Sequence, residues 1–280
     1  MRQPLFELGT DLVIWSPVYH NKGKPKMSQT IERPSNFQND QQMNARVDLA
    51  AAHREAVNDG FVESIDNHFT LSVPGHPDRF YLNGYGLHWS EVKASNLIEV
   101  SLKGQVLRGD GVANLSAVCI HAPMHRRGRA CVLHTHMPYA TALTQLEDMR
   151  LEPSSQNAMI LHDMIAYDYD YQGFADKQDE GERMADVLGD KHILFLANHG
   201  VVSTGESVSE AYHRLYFLER AATTQLIAMA AGKRRLISQA VLEKTRSILQ
   251  SAKAEFRADA DLYFEAVKRV LSAQRSDYAG

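Results

Sequence analysis

Residues 130–146 read ACVLHTHMPYATALTQL. Ala130 to Leu133 is a short apolar run suited to a buried strand. Pro138 suits the first turn of a helix, which the pattern carries to about Leu146. Between strand and helix stand His134 and His136. Side chains two apart on a strand point to the same face, so both imidazoles can reach one ion. By itself a His-x-His at a strand end is equally compatible with two surface histidines. A second apolar strand, Ile193 to Ala197, ends in the turn Asn198-His199-Gly200. A third imidazole at the end of a neighbouring strand completes a set of three. Such a set leaves coordination positions open, as catalytic sites do and structural sites do not.

Working outward, the pattern alternates strands and helices, which indicates an α/β chain. Upstream, Val47, Ala50, Ala51 and Val57 mark one face of a helix from Met43 to about Asn58, with Gly60 as its stop. FTLSV and RFYL read as strands separated by the turn residues PGHPD and followed by NGYG. Leu97 to Leu102 pairs with Gln105 to Arg108 across Lys103-Gly104, and this hairpin excludes a purely parallel sheet. Asn114 caps a helix over 115–127 that Pro123 either kinks or delays. Downstream, Ser207-Val208-Ser209-Glu210 reads as a capping box. It opens a helix carrying Val208, Ala211, Tyr212, Leu215, Leu218, Ala222 and Leu226 at helical spacing. Two further helices follow from about Ser238.

Composition sets the class. The 280 residues are 44% hydrophobic and 23% charged, enough apolar material for a substantial core. The net charge of -4 and the lack of a basic block speak against a nucleic-acid partner. No run approaches the roughly 20 apolar residues of a membrane helix, and the N-terminus lacks a signal-peptide layout. Cys119 and Cys131 stand outside any Cys-x-x-Cys spacing, so reduced thiols in a cytoplasm are expected. Residues 1–40 are expected to form a loose extension, 43–232 the main domain and 233–280 a helical extension.

The segments RACVLHTHMPYATAL and ILFLANHGVVSTGESVSEAYHRLYFLERAA, with FYLNGYGL, Ser90-Glu91-Val92 and Gly109-Asp110-Gly111 before them, resemble the class II aldolase/adducin family. The resemblance covers roughly residues 43–230. It implies a three-layer α/β/α sandwich around a mostly antiparallel sheet, assembled as a homotetramer with sites at subunit borders. It also implies that His134, His136 and His199 bind a divalent metal, zinc first, with Fe2+ or Mn2+ as alternatives.

Two departures bear on activity. The glutamate that serves the family's aldolases as acid/base, four residues before a helical histidine, is here Ala117, before His121. Alanine moves no proton. The phosphate loop is replaced by Asp66-Asn67-His68-Phe69-Thr70, and the next loop carries Tyr85-Gly86, so a phosphorylated substrate is not expected. His162 and Asp163 stand where family members present a residue to the neighbouring subunit's site, and they are the candidate replacements. His121 reads as a core histidine, or as an extra metal ligand or a support for the ligands. Glu219 and Arg220 read as solvated or subunit-facing charges, and Tyr85 and Trp89 as pocket or core. The expected activity is that of a metal-dependent lyase acting on a small hydroxy-carbonyl substrate through a metal-stabilised enolate, by aldol cleavage, decarboxylation or epimerisation. The competing expectation is a non-catalytic, adducin-like assembly module.

Overall fold

Strands buried on both faces and helices buried on one side sort the chain into layers. In a computed structural model, residues 35–280 are described; residues 1–34 of the expected extension lie outside the described residues. The elements are α1 (Ser35–Asn58), β1 (His68–Val73), β2 (His76–Asn83), β3 (Leu97–Ser101), β4 (Val106–Arg108), α2 (Leu115–Arg126), β5 (Cys131–Thr135), α3 (Pro138–Thr144), α4 (Gln156–Leu161), β6 (Ile165–Asp168), α5 (Gln178–Leu188), β7 (Ile193–Leu196), β8 (Gly200–Gly205), α6 (Val208–Ala231), α7 (Gln239–Ser251) and α8 (Lys253–Ala273).

The strands form one sheet in the order β4-β3-β2-β1-β5-β8-β7-β6. All neighbours are antiparallel except β6 and β7, whose connection contains the crossover helix α5 that parallel pairing requires. On one face Phe69, Leu71, Leu133, Phe195 and Val201 pack against residues of α1, α3, α6 and α8. On the other, Val132, Leu194 and Val202 meet Ile120 and Met124 of α2 and Met184 and Leu188 of α5. Phe80, Leu82, Ile98 and Val100 extend that second face against Ala117, Val118 and Ala122. Burying one such aromatic or branched side chain contributes about 1.5–3 kcal/mol. The expected three-layer sandwich with a mostly antiparallel sheet is therefore present.

Local chemistry explains the ends. Asn114 Oδ1 accepts from the backbone N–H of Ser116 at 2.9 Å and of Ala117 at 3.4 Å, so α2 starts where its cap predicts. Pro123 lies inside α2 and cannot donate to the carbonyl of Cys119 one turn earlier. Helix α5 covers that carbonyl: a Cβ built on Gly181 would stand 1.7 Å from Cys119 O. The hydrogen in that direction therefore points at the oxygen, a weak Cα–H···O contact that only glycine permits.

Several details differ from the sequence reading. Helix α1 begins at Ser35, ahead of the expected Met43. Strand β2 starts at His76, which leaves only Pro74-Gly75 as the turn, with Gly75 at φ 82. Strand β8 fills the stretch after Gly200 that read only as a turn. Ser207 Oγ does accept from Glu210 N at 3.2 Å, but the Glu210 carboxylate turns to Arg214 and Arg257 instead of closing a capping box. The helices after residue 233 pack onto the rest of the chain, since Phe264, Val267 and Leu271 of α8 join the main core. Among the described residues, no helix is long and apolar enough to cross a membrane.

Candidate metal centre

The sheet brings the three sequence-predicted ligands together. His134 is near the end of β5 and pairs with Val202 of β8, which lies between β5 and β7. His136 follows β5 directly, and His199 occupies the tight β7–β8 turn, closed by the Leu196–Gly200 pair. Asn198 takes a left-handed φ of 55, a conformation asparagine tolerates better than most residues. The potential ligand atoms of His134, His136 and His199 all lie within 4.8 Å of one another. Their ring centroids are 4.8–5.0 Å apart.

Two of the three rings, His134 and His136, are oriented from behind. His134 Nδ1 donates to Val201 O at 3.0 Å, which leaves Nε2 as a lone pair. His136 Nδ1 is paired with the carboxylate of Glu63, and its Nε2 is buried without a partner. A buried nitrogen with no partner, beside two other converging imidazoles, is a donor set that fits a divalent ion. Burial holds the His199 imidazole down to about 4, and His134 is pushed well below the ordinary histidine range by burial and its histidine neighbours. Both are thus neutral near pH 7, the form that ligates metal.

The backbone around His136 is pinned twice. Asn67, at φ 71, accepts through Oδ1 from His136 N at 3.1 Å and Thr135 Oγ1 at 3.2 Å. Glu219 departs from the expected solvated charge: it is buried, and its two oxygens accept from Tyr139 N and Ala140 N at 2.8 Å, capping α3. Gly200 makes the close packing possible, since a Cβ there would stand 2.6 Å from His136 Cδ2 and 2.9 Å from Thr135 O. A Gly200→Ala chain should fold yet bind metal at least tenfold more weakly, the scale of supporting-residue effects at metal sites. A competition titration against a chromophoric chelator measures this, and unchanged affinity would refute the steric argument.

Behind the triad runs a polar seam that the sequence reading did not isolate. His68, Thr70 and Ser72 alternate along one face of β1, and His121 and His125 lie one turn apart on α2. Two strand residues rise about 6.6 Å and four helix residues about 6 Å, so the two rows stay in step. His68 Nδ1 meets His121 Nε2 at 2.8 Å, and Thr70 Oγ1 meets His121 Nδ1 at 2.6 Å and His125 Nε2 at 2.8 Å. The His68 ring lies 5.0 Å from that of His134. The signal was present in the sequence as polar residues alternating through the apolar run Phe69, Leu71 and Val73.

Other candidates lie elsewhere. Ala117 is fully buried in the apolar cluster under β2 and β3. Trp89 is a core residue with no exposure, whereas Tyr85 is exposed. His162 and Asp163 precede β6, which runs parallel to β7 with Ile165 opposite Ile193. They therefore sit at the end of the sheet where β7 begins, while His199 lies beyond its other end. Within one chain they do not reach the triad. Asp163 is held instead by Arg246 of α7, at 2.5 and 2.8 Å, and that guanidinium keeps its carboxyl below the usual carboxylate range.

Comparison with known proteins gives the family. The Class II Aldolase and Adducin N-terminal domain matches residues 47–226. A Caulobacter vibrioides protein named for the class 2 aldolases is 34% identical over 192 residues, covering 68% of this chain and 74% of that one. Human beta-adducin is 33% identical over 179 residues, which are 62% of this chain but only 24% of that larger protein. The crystal structure of an aldolase II superfamily protein from Pseudomonas syringae superposes with a TM-score of 0.77 at 31% identity, covering 86% of this chain and 96% of that one. The chain belongs to the class II aldolase/adducin family.

Proposed function

We propose that the protein is a divalent-metal lyase acting on a small hydroxy-carbonyl substrate, with His134, His136 and His199 as ligands. The observation that carries this reading is the buried, unpartnered Nε2 of His136, converging with two further neutral imidazoles. Zinc is the first choice for three nitrogen donors, with Fe2+ or Mn2+ as alternatives. A bound ion of this kind supplies Lewis acidity at a substrate oxygen. The chain's own groups do the rest. Glu63 and the Val201 carbonyl fix which nitrogen the His136 and His134 rings present. Asn67 and Glu219 hold the backbone on either side of His136.

Proton movement is the open role. Ala117 cannot take it, and burial keeps His121 and His125, deeper in the seam, neutral and away from solvent. His162 and Asp163 can reach a triad only in a neighbouring subunit, which ties their role to assembly as a homotetramer. One observation favours the second reading, an adducin-like assembly module: the acid/base position is filled by an alanine packed into an apolar cluster. A scaffold, however, has no use for three imidazole nitrogens converging within 4.8 Å of one another.

Elemental analysis of purified protein separates the two. About one divalent ion per chain is expected, lost in the His134→Ala/His136→Ala variant, with aldol cleavage, decarboxylation and epimerisation of hydroxy-carbonyl compounds then assayed. No metal in either protein, even after reconstitution, would leave the assembly module as the better account.

A further inference from the structure

The seam behind the triad has a direction, and its far end sets it. His125 Nδ1 lies 2.7 Å from the carbonyl oxygen of Arg129, which can only accept, so Nδ1 carries the proton. Ser72 Oγ, at 3.1 Å, shares that same N–H. Burial keeps the His125 ring neutral, with its affinity for a second proton down at about 4. Its Nε2 is then a lone pair, and Thr70 must donate to it across 2.8 Å. The carbonyl of Val132, 3.3 Å from Thr70 Oγ1, is the more distant claimant on that proton. With its one hydrogen committed, Thr70 accepts from His121 Nδ1 at 2.6 Å. The neutral His121 ring therefore offers Nε2 as a lone pair, and His68 Nδ1 donates to it at 2.8 Å.

We propose that His68 is a further site residue: it presents a bare Nε2 beside the triad and accepts the hydrogen bond of a ligand hydroxyl bound there. His68 is buried, its ring is 5.0 Å from that of His134, and His121 occupies its other nitrogen. It stays outside the ligand set, because the atoms lying within 4.8 Å of one another belong to His134, His136 and His199 alone among the described residues. A hydroxy-carbonyl compound offers its carbonyl and hydroxyl oxygens to the ion and its O–H to His68. A carbonyl compound without the hydroxyl would leave that lone pair facing an apolar group, which discriminates against it. Thr70, His121 and His125 are positioning residues, since they act only by fixing which nitrogen of His68 is protonated. The inference deepens the metal-centre reading and rests on it.

Two measurements test it separately. In metal-free protein labelled with 15N-histidine, the ring nitrogen shifts read tautomers directly, and the signals of His68 are assigned by their loss in a His68→Phe chain. The expected state is Nδ1–H with bare Nε2, and the opposite tautomer would overturn the inference whatever the metal does. In Co2+-loaded protein, hydroxyacetone, whose hydroxyl keeps its proton near neutral pH, serves as a small hydroxy-carbonyl probe, followed by the visible spectrum. His68→Phe and the near-isosteric Thr70→Val should each keep one ion per chain and weaken the probe by roughly five- to tenfold, the size of one hydrogen bond. Loss of the ion in His68→Phe, with the fold intact by circular dichroism, would make His68 a metal ligand and overturn its role as a hydrogen-bond acceptor. Full metal uptake with unchanged probe affinity in both variants would overturn it as well. Failure of the unsubstituted protein to take up Co2+ would remove the metal centre itself, and this role with it.

Discussion

Lowering the pH from 7.5 to 5 is expected to cost the metal-free protein most of its stability. His53, His68, His121 and His125 are buried, and none is a ligand of the triad. Burial holds His53 and His125 down to about 4 and His68 to about 3, with repulsion from His199 and His136 adding to the last. His121 is pushed well below its ordinary range by the same burial and by its neighbours His68 and His125. The unfolded chain protonates near 6.5 and the folded one resists, so the unfolded state binds more protons in between. Stability is therefore fully present above pH 6.5 and is lost as pH falls toward the folded values. At pH 5 His53, His68 and His125 each cost about 2 kcal/mol, together about 6 kcal/mol, and the depressed His121 adds to the loss. A typical domain has only about 5–15 kcal/mol in total. Urea midpoints measured at pH 7.5, 6.5 and 5 should fall steeply over the last step. A flat profile down to pH 5 would mean that these rings accept protons without losing their places.

Gly181→Ala should be among the most damaging single-methyl changes in the chain. The added Cβ would meet Cys119 O at 1.7 Å, Cys119 C at 2.7 Å and Pro123 Cγ at 3.1 Å. Two of these are backbone atoms of α2, so the clash cannot be relieved by rotating a side chain. Helices α2 and α5 must separate, opening the core around Ile120, Met124, Met184 and Leu188. The cost should reach about 3 kcal/mol, the upper end for overpacking, and the separation would also uncover the carbonyl that Pro123 leaves without a donor. A thermal melt of the variant checks it. Loss of less than about 1 kcal/mol would show that the two helices slide apart cheaply. Such sliding is also the motion that would loosen the histidine seam on the opposite side of α2.

Much of this was legible in the chain. Helix starts at Asn114 and Ser207 are set by side chains that bond within three residues, so local sequence suffices. That His134, His136 and His199 come together could be read because all three stand at the ends of apolar strands, and the resemblance supplied their grouping. What escaped depends on contacts distant in sequence. Glu63 reaches His136 and Glu219 reaches α3 only after the sheet has formed. Strand β8 was missed because it is flanked by Gly200 and Gly205 and carries Ser203 and Thr204 in its interior, which reads as loop. Those hydroxyls are instead spent on Ala211 O and His192 O. The seam was missed for a related reason: its residues alternate correctly for a strand, but nothing local says that a helix carries matching imidazoles.

The placement of the triad also bears on how the chain folds. His134 and the carbonyl that orients it, on Val201, are 67 residues apart, and they meet only when β5 and β8 pair in register. Closing a loop of that length is a slow, entropically costly event compared with forming either hairpin at the other edge of the sheet. The three imidazoles are not together before that closure, so on the proposed metal-centre reading early capture of an ion would not guide the route. A metal-sensitive dye present during refolding would therefore serve as a clock for the central pairing, lagging behind the appearance of helix and of the β1–β4 meander.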